Sequence, residues 1–178
     1  KSAFPENHPL SLGSGGRANS RQVKQYLNDA DVIFGVGVSF ALTAFGVPMP
    51  ANKDGSKTFI HATLDPIDLN KDVPVQHGLI GDAKLTLQAL SAEMANYGKA
   101  PAEQRAAEPE KIAAIRDAWR GEWLPKLTSN DTPINPYRVI AELDRMVDKD
   151  NVVITHDAGS PRDQTTPFWE ATAPLSYI

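Results

Sequence analysis

An α/β fold built on a parallel sheet is what this chain predicts, and three observations carry that reading. Short apolar runs end on glycine or proline at Asp31-Val32-Ile33-Phe34-Gly35-Val36-Gly37 and at Thr58 to Leu64, where Asp65-Pro66 follows. Runs of that kind suit parallel strands covered on both faces. The second run leads, through a short strand at about Val75 to Ile80, into Gly81-Asp82 and a helix. Ala83, Leu87, Leu90, Met94 and Tyr97 fall on one face of it, with Asp82 as its N-cap. Finally, Asn135-Pro136 reads as a cap and N1 proline opening a helix whose buried face is Val139, Ile140, Leu143, Met146 and Val147. Asp148 to Asp150 then turn the chain into Asn151 to Asp157, a further buried strand. The expectation is a Rossmann-like parallel sheet with helices on both faces, followed by the first helix and strand of a second α/β domain.

The remaining elements follow in order. KSAFPENHPLSLGSGG is dominated by turn formers, so it predicts an irregular lead into a helix from about Asn19 to Asn28, capped by Asn19 or Ser20. Proline at position 66 stops the second strand because it lacks a ladder donor. GKAPAEQRAAEP, from Gly98 to Pro109, predicts an exposed linker. Glu110 to Leu124 predicts a helix with Ile112, Ile115, Trp119 and Trp123 on one stripe and Pro125 as its end. Those tryptophans are expected to pack against a neighbouring domain.

Composition narrows function. With 178 residues and 41% hydrophobic content the chain can bury a core. A net charge of -4, from 18 Lys+Arg against 22 Asp+Glu without a basic cluster, offers no electrostatic footprint for nucleic acid or an anionic membrane. The absence of cysteine removes disulfides and thiolate metal sites, so a cytoplasmic location is expected. No window reaches the roughly 18 apolar residues of a membrane span. The chain opens on Lys1 and stops at Ile178 just after an apolar cluster, which predicts that both ends are cut.

Several groups could carry chemistry. Gly35-Val36-Gly37-Val38-Ser39-Phe40 begins like a dinucleotide fingerprint but has Phe40 in place of the third glycine. The favoured reading is a tight turn with close strand-to-loop approach. Gly13-Ser14-Gly15-Gly16-Arg17 lacks the lysine and hydroxyl of a P-loop and reads as a flexible lead-in. Asp65 reads as a turn starter. His8, His61, His77 and His156 lack ligand spacing, so no metal site is expected. Ser160 lacks the nucleophile-elbow glycines. The loop Asp157-Ala158-Gly159-Ser160-Pro161-Arg162 joins a small residue, a glycine, a hydroxyl and a cation directly after a strand. The residues alone leave two readings open there, a plain turn and a diphosphate contact.

Taken in order, Lys1 to Leu10 (KSAFPENHPL), Asp29 to Gly37, Ile60 to Asp68 with Asn70 and Val73-Pro74, Ile80-Gly81-Asp82-Ala83, and the stretch from Pro136 to Gly159 resemble the thiamine-diphosphate-dependent enzymes of the acetolactate synthase and 2-oxo acid decarboxylase type. The resemblance implies a middle domain over residues 1–98, with the DHS-like NAD/FAD-binding fold. It further implies a linker with an amphipathic helix over residues 99–130, and the truncated start of the diphosphate-binding domain over residues 131–178. It assigns the first diphosphate contact to Ala158, Gly159 and Ser160, with thiamine diphosphate and Mg2+ as cofactors of the parent enzyme. No catalytic residue falls within the chain, because the magnesium motif and the activating glutamate would lie outside it, so the piece alone is expected to be inactive. Acetolactate synthases carry FAD on this domain through Gly-Ala-Arg-Phe-Asp and Met-His-Gly stretches. The equivalents here, Gly37-Val38-Ser39-Phe40-Ala41 and Arg17-Ala18-Asn19, lack the arginine and aspartate, and the chain is more similar to relatives that use the domain as scaffold.

For the parent the resemblance implies a small 2-oxo acid substrate and a homodimer or homotetramer. Ser160-Pro161-Arg162 stands where Gly-Gln-His is usual, so product class does not carry over. Two rival readings remain from the residues. One is a free-standing module holding FAD, NAD or an ADP moiety at the Gly35 and Asp65 strand ends, and the other an interaction domain using Trp119 and Trp123 on an exposed helix.

Overall fold

A computed structural model describes residues 2–15, 21–43 and 46–178. The expected caps Asn19 and Ser20 lie outside the described residues. The elements are α1 (Arg21–Asp29), β1 (Val32–Val36), β2 (Thr58–Thr63), a 3-10 turn at Pro66–Asp68, β3 (His77–Ile80), α2 (Ala83–Met94), α3 (Ala102–Leu127), α4 (Pro136–Met146) and α5 (Ser160–Phe168). They form two compact units, Gln25–Ala102 and Lys1–Lys24 with Glu103–Ile178. No helix among the described residues is long and apolar enough to cross a membrane.

The unit Gln25–Ala102 is the expected α/β body. Its three strands are parallel in the order β1-β2-β3, with Val32 opposite Thr58, Val36 opposite Ala62, Ile60 opposite His77 and Thr63 opposite Ile80. The central strand supplies the core, since Phe59, His61, Ala62 and Thr63 are all buried. Phe59 and His61 share one face because side chains alternate along a strand. Phe40 covers that face from the β1–β2 connection. Its ring meets Phe59 edge-on at 6.2 Å and His61 at 4.7 Å. His61 is fully buried and its Nε2 lies 2.5 Å from the Val38 carbonyl oxygen, which pins the start of the same connection. Gly35 makes room for this arrangement, because a Cβ there would stand 2.3 Å from the Phe40 ring. The glycine therefore serves close approach, as the sequence favoured.

One expectation about this unit changes. Asp82 caps α2 as expected, its Oδ1 accepting from the Leu85 amide at 3.0 Å. The apolar face it leads, however, is exposed, with Leu87, Leu90 and Met94 all open to solvent. A sheet of three short strands, whose edge strand β3 is itself exposed, presents too little surface to cover a twelve-residue helix.

The second unit is helical and its core is aromatic. Trp119 stacks on Phe168 at 5.1 Å and 12°, while Trp123 packs on Tyr137 and Phe168, with Leu127 and Ile140 completing the cluster. Trp119, 7% exposed, is thus a core residue gripping α4 and α5, and the rival reading of a contact surface on an exposed helix loses this residue. Helix α3 is also longer than expected at both ends. Residues 102–108, AEQRAAE, are strong helix formers and extend it into the expected linker. Beyond Pro125, buried Leu127 and the Thr128 amide and hydroxyl, both donating to the Leu124 carbonyl, hold a further turn against the loss of one donor.

The expected strand Asn151 to Asp157 is reduced to a single parallel bridge. Ile154 donates to the Ser176 carbonyl and accepts from the Ile178 amide, each at 3.0 Å. Val153 is 57% exposed, because among the described residues only the segment around Tyr177 pairs with this stretch. The turn-rich N-terminal segment is anchored instead by one carboxylate. Glu6 donates its amide to the Ala171 carbonyl, and its side chain accepts from the Ala171 amide at 2.9 Å and the Ser14 hydroxyl at 2.7 Å.

Gly35→Ala is expected to cost about 1–3 kcal/mol by forcing the Phe40 ring aside; an unchanged urea midpoint would show that the ring moves freely. Glu6→Ala leaves the Ala171 amide buried without its acceptor and is expected to cost about 1–3 kcal/mol, read by chemical unfolding of the same chain.

Candidate functional site

Gly159 carries the loop that follows Ile154 into α5. Its φ of 85° and ψ of -140° belong to a region that other residues enter only under strain, and space is open where a Cβ would project. This conformation turns the chain abruptly, so that Ser160 becomes the first residue of α5. Gly159 caps the helix without a side-chain hydrogen bond, and Pro161 occupies the first turn. The first turn of any helix leaves amides without internal partners. Here Pro161 removes one such donor, and the Asp163 amide bonds the Gly159 carbonyl at 3.1 Å. The Ser160 amide and hydroxyl thus open α5, at the end where the helix dipole favours an anion.

The three sequence-predicted residues are brought to one exposed turn, but they are not equivalent. The Ala158 amide donates to Asp157 Oδ1 at 2.7 Å, so it is already engaged and a carboxylate stands beside it. Gly159 supplies geometry, and Ser160 supplies both an amide and a hydroxyl. Arg162 turns its guanidinium to Asp163 Oδ1 at 2.8 Å. That pairing reduces the cation's availability for an incoming ligand.

Beneath the turn, α5 is tied to the chain's last residues. Thr166 Oγ1 and the Tyr177 hydroxyl lie 2.8 Å apart, and the His156 ring packs on the Tyr177 ring at 5.0 Å. Burial pushes the Tyr177 phenol above its ordinary value, with the Glu6 charge adding to the rise and the Thr166 hydrogen bond and Arg162 opposing it.

The other candidates resolve into structural roles. Asp65 Oδ1 accepts from the Ile67 amide at 3.0 Å and caps the 3-10 turn, the favoured reading. Ser11 Oγ accepts from the Gly13 amide at 3.1 Å, and the Ser14 hydroxyl donates to Glu6. Gly16, Arg17, Ala18 and Asn19 lie outside the described residues. His8 accepts from the Leu10 amide, and among the described residues no three His, Cys, Asp or Glu gather as a metal would require. Glu6 was missed by sequence reasoning, because its principal partner is 165 positions away and no local pattern announces it.

Residues 1–90 match the family described as "Thiamine pyrophosphate enzyme, central domain". The chain is 25% identical over 185 residues to the "Probable acetolactate synthase large subunit" of Methanococcus aeolicus, covering 100% of this chain and 30% of the relative. Against the "Acetolactate synthase isozyme 3 large subunit" of Escherichia coli (strain K12) it is 28% identical over 183 residues, covering 99% and 30%. It is also 25% identical over 198 residues to the "Sulfoacetaldehyde acetyltransferase" of Castellaniella defragrans, covering 99% and 32%. The chain therefore spans about 30% of the length of the curated relatives it matches.

Because a raised phenol holds its proton more tightly in the fold, the Tyr177 contribution is fully present below the ordinary value of 10.0 and is lost as pH climbs through the raised one. Tyr177→Phe is expected to flatten the fall of stability above pH 10.0, measured as urea midpoints across that range; parallel curves for the two proteins would reject the linkage.

Proposed function

The chain belongs to the thiamine pyrophosphate enzyme family, and on that premise we propose that it is a piece of a thiamine-diphosphate- and magnesium-dependent enzyme acting on 2-oxo acids, an acetolactate-synthase-like carboligase or a decarboxylase. In this reading residues 1–98 belong to the middle domain, 99–130 link, and 131–178 open the diphosphate-binding domain. The parent works as a cytoplasmic homodimer or homotetramer on a small 2-oxo acid. Thiamine diphosphate, when bound, supplies the carbanion-stabilising chemistry. The observation that carries the reading is the turn at Gly159, which opens α5 with Ser160's amide and hydroxyl instead of a capping side chain.

Within that enzyme, Ala158, Gly159 and Ser160 would form a first contact with the diphosphate of the cofactor, the Ala158 amide holding the turn through Asp157. Ser160 donates twice, from its amide and its hydroxyl, while Gly159 lets the phosphate approach the backbone. No residue of this chain is assigned to magnesium. One helix start contributes only about 0.3–1 kcal/mol toward a negative charge, which is too little to retain a cofactor by itself. The chain alone is accordingly scaffold, and chemistry requires the rest of its parent.

Two measurements test this. Inorganic pyrophosphate titrated into the isotopically labelled chain is expected to shift the Ser160 and Arg162 amide signals weakly, with Gly159→Ala reducing the response several-fold. Shifts confined to other residues would remove the assignment. Supplied with thiamine diphosphate, Mg2+ and pyruvate, the chain is expected to release no carbon dioxide, and measurable turnover would overturn the scaffold reading.

A further inference from the structure

We propose that the carboxyl edge of the β1-β2-β3 sheet excludes the diphosphate of a dinucleotide, so that this unit carries no FAD, NAD or ADP moiety there. The argument begins with where such ligands sit. In open parallel sheets they lie beyond the carboxyl ends of the strands, on amides at a glycine turn and at the start of the following helix. All three strands are parallel, so their carboxyl ends share one edge.

At each exit from that edge the chain's own acceptors take the donors. The Gly37 amide, which would face a diphosphate in a fingerprint turn, continues the ladder to the Ala62 carbonyl at 2.9 Å. No helix follows β1, since the described residues from Gly37 to Lys57 form none. In that connection the Ala41 amide bonds Ser39 Oγ, and the Leu42 amide bonds Asp72 Oδ2 at 2.8 Å. After β2, Asp65 caps a turn of three residues. After β3, the Gly81 amide bonds the Thr63 carbonyl at 3.0 Å, and Asp82 closes the N-terminus of α2. Among the described residues that is the one helix start on this edge long enough to serve a phosphate, and it already holds a carboxylate.

Charge points the same way. Between Gly37 and Asp82 the sequence contains no arginine, and its acidic residues are Asp54, Asp65, Asp68, Asp72 and Asp82 against Lys53, Lys57 and Lys71. Lys57 is spent on the carbonyls of Asn28 and Ala30, which lead into the amino end of β1. Lys71 lies beside Asp68. A diphosphate arriving at this edge would meet a carboxylate at each of its three exits and would have to displace it from an amide it already satisfies. The FAD of acetolactate synthases thus finds no fit in the residues of this edge, and the free-standing dinucleotide module loses its site with it.

The test is a residue-resolved titration of the whole chain with FAD, NAD and ADP in turn, each to about 1 mM. The Gly37, Gly81 and Leu85 amide signals are expected to stay in place with every ligand. Saturable movement of those signals with any of the three would overturn the proposal. Signals from Ser160 are read in the same spectra, so failure of the pyrophosphate contact and failure of this exclusion are seen separately.

Discussion

Every backbone amide at the end of a strand or the start of a helix must find an acceptor, and that constraint organises this chain more than any single contact. Where the sequence provides a short polar side chain at the right position, the element closes on itself. Asp65 closes the turn after β2, Asp82 closes α2, and Asn135 closes α4 by accepting from the Tyr137 amide at 3.1 Å. Glu6 applies the same principle over distance, satisfying the Ala171 amide from the other end of the helical unit. Each of these is a local acceptor for an orphan donor. The start of α5 is the exception, because Gly159 offers its carbonyl to the Asp163 amide but no side-chain acceptor.

That contrast separates platform from site. The sheet of the first unit has the topology of a ligand-binding fold, yet its exits are sealed by aspartates and Gly35 serves the packing of Phe40. Topology alone would have placed a ligand there. Fold and function are distinct properties of an α/β body, and the donors left over at a strand's end decide whether the topology is used. The helical unit, whose fold was harder to foresee, offers the more open anion-facing turn.

The aromatic core of that unit explains why the turn can be held. Trp119, Trp123 and Tyr137 enclose Phe168 at the far end of α5, and the Tyr177 hydroxyl meets Thr166 in the same helix. A nine-residue helix containing two prolines has little intrinsic stability. Tertiary packing therefore fixes its direction, and with it the direction in which the Ser160 amide points.

By itself the sequence determined the features set by local chemistry. The order of elements from α1 to α4, the caps at Asp82 and Asn135, the turn at Asp65 and the close approach at Gly35 all follow from side-chain type within a few positions, which is the range over which propensity and capping act. The ordered stretches from Lys1 to Gly159 also carried the family, which the match over residues 1–90 shows. Tertiary structure decided what depended on distant partners. Only packing could place Trp119 in the interior of its own unit, leave Leu87 and Leu90 uncovered, reduce Asn151 to Asp157 to one bridge with Tyr177, and give buried Glu6 its acceptor role at Ala171. Burial and strand pairing belong to two surfaces at once, and a sequence read along one segment describes only one of them.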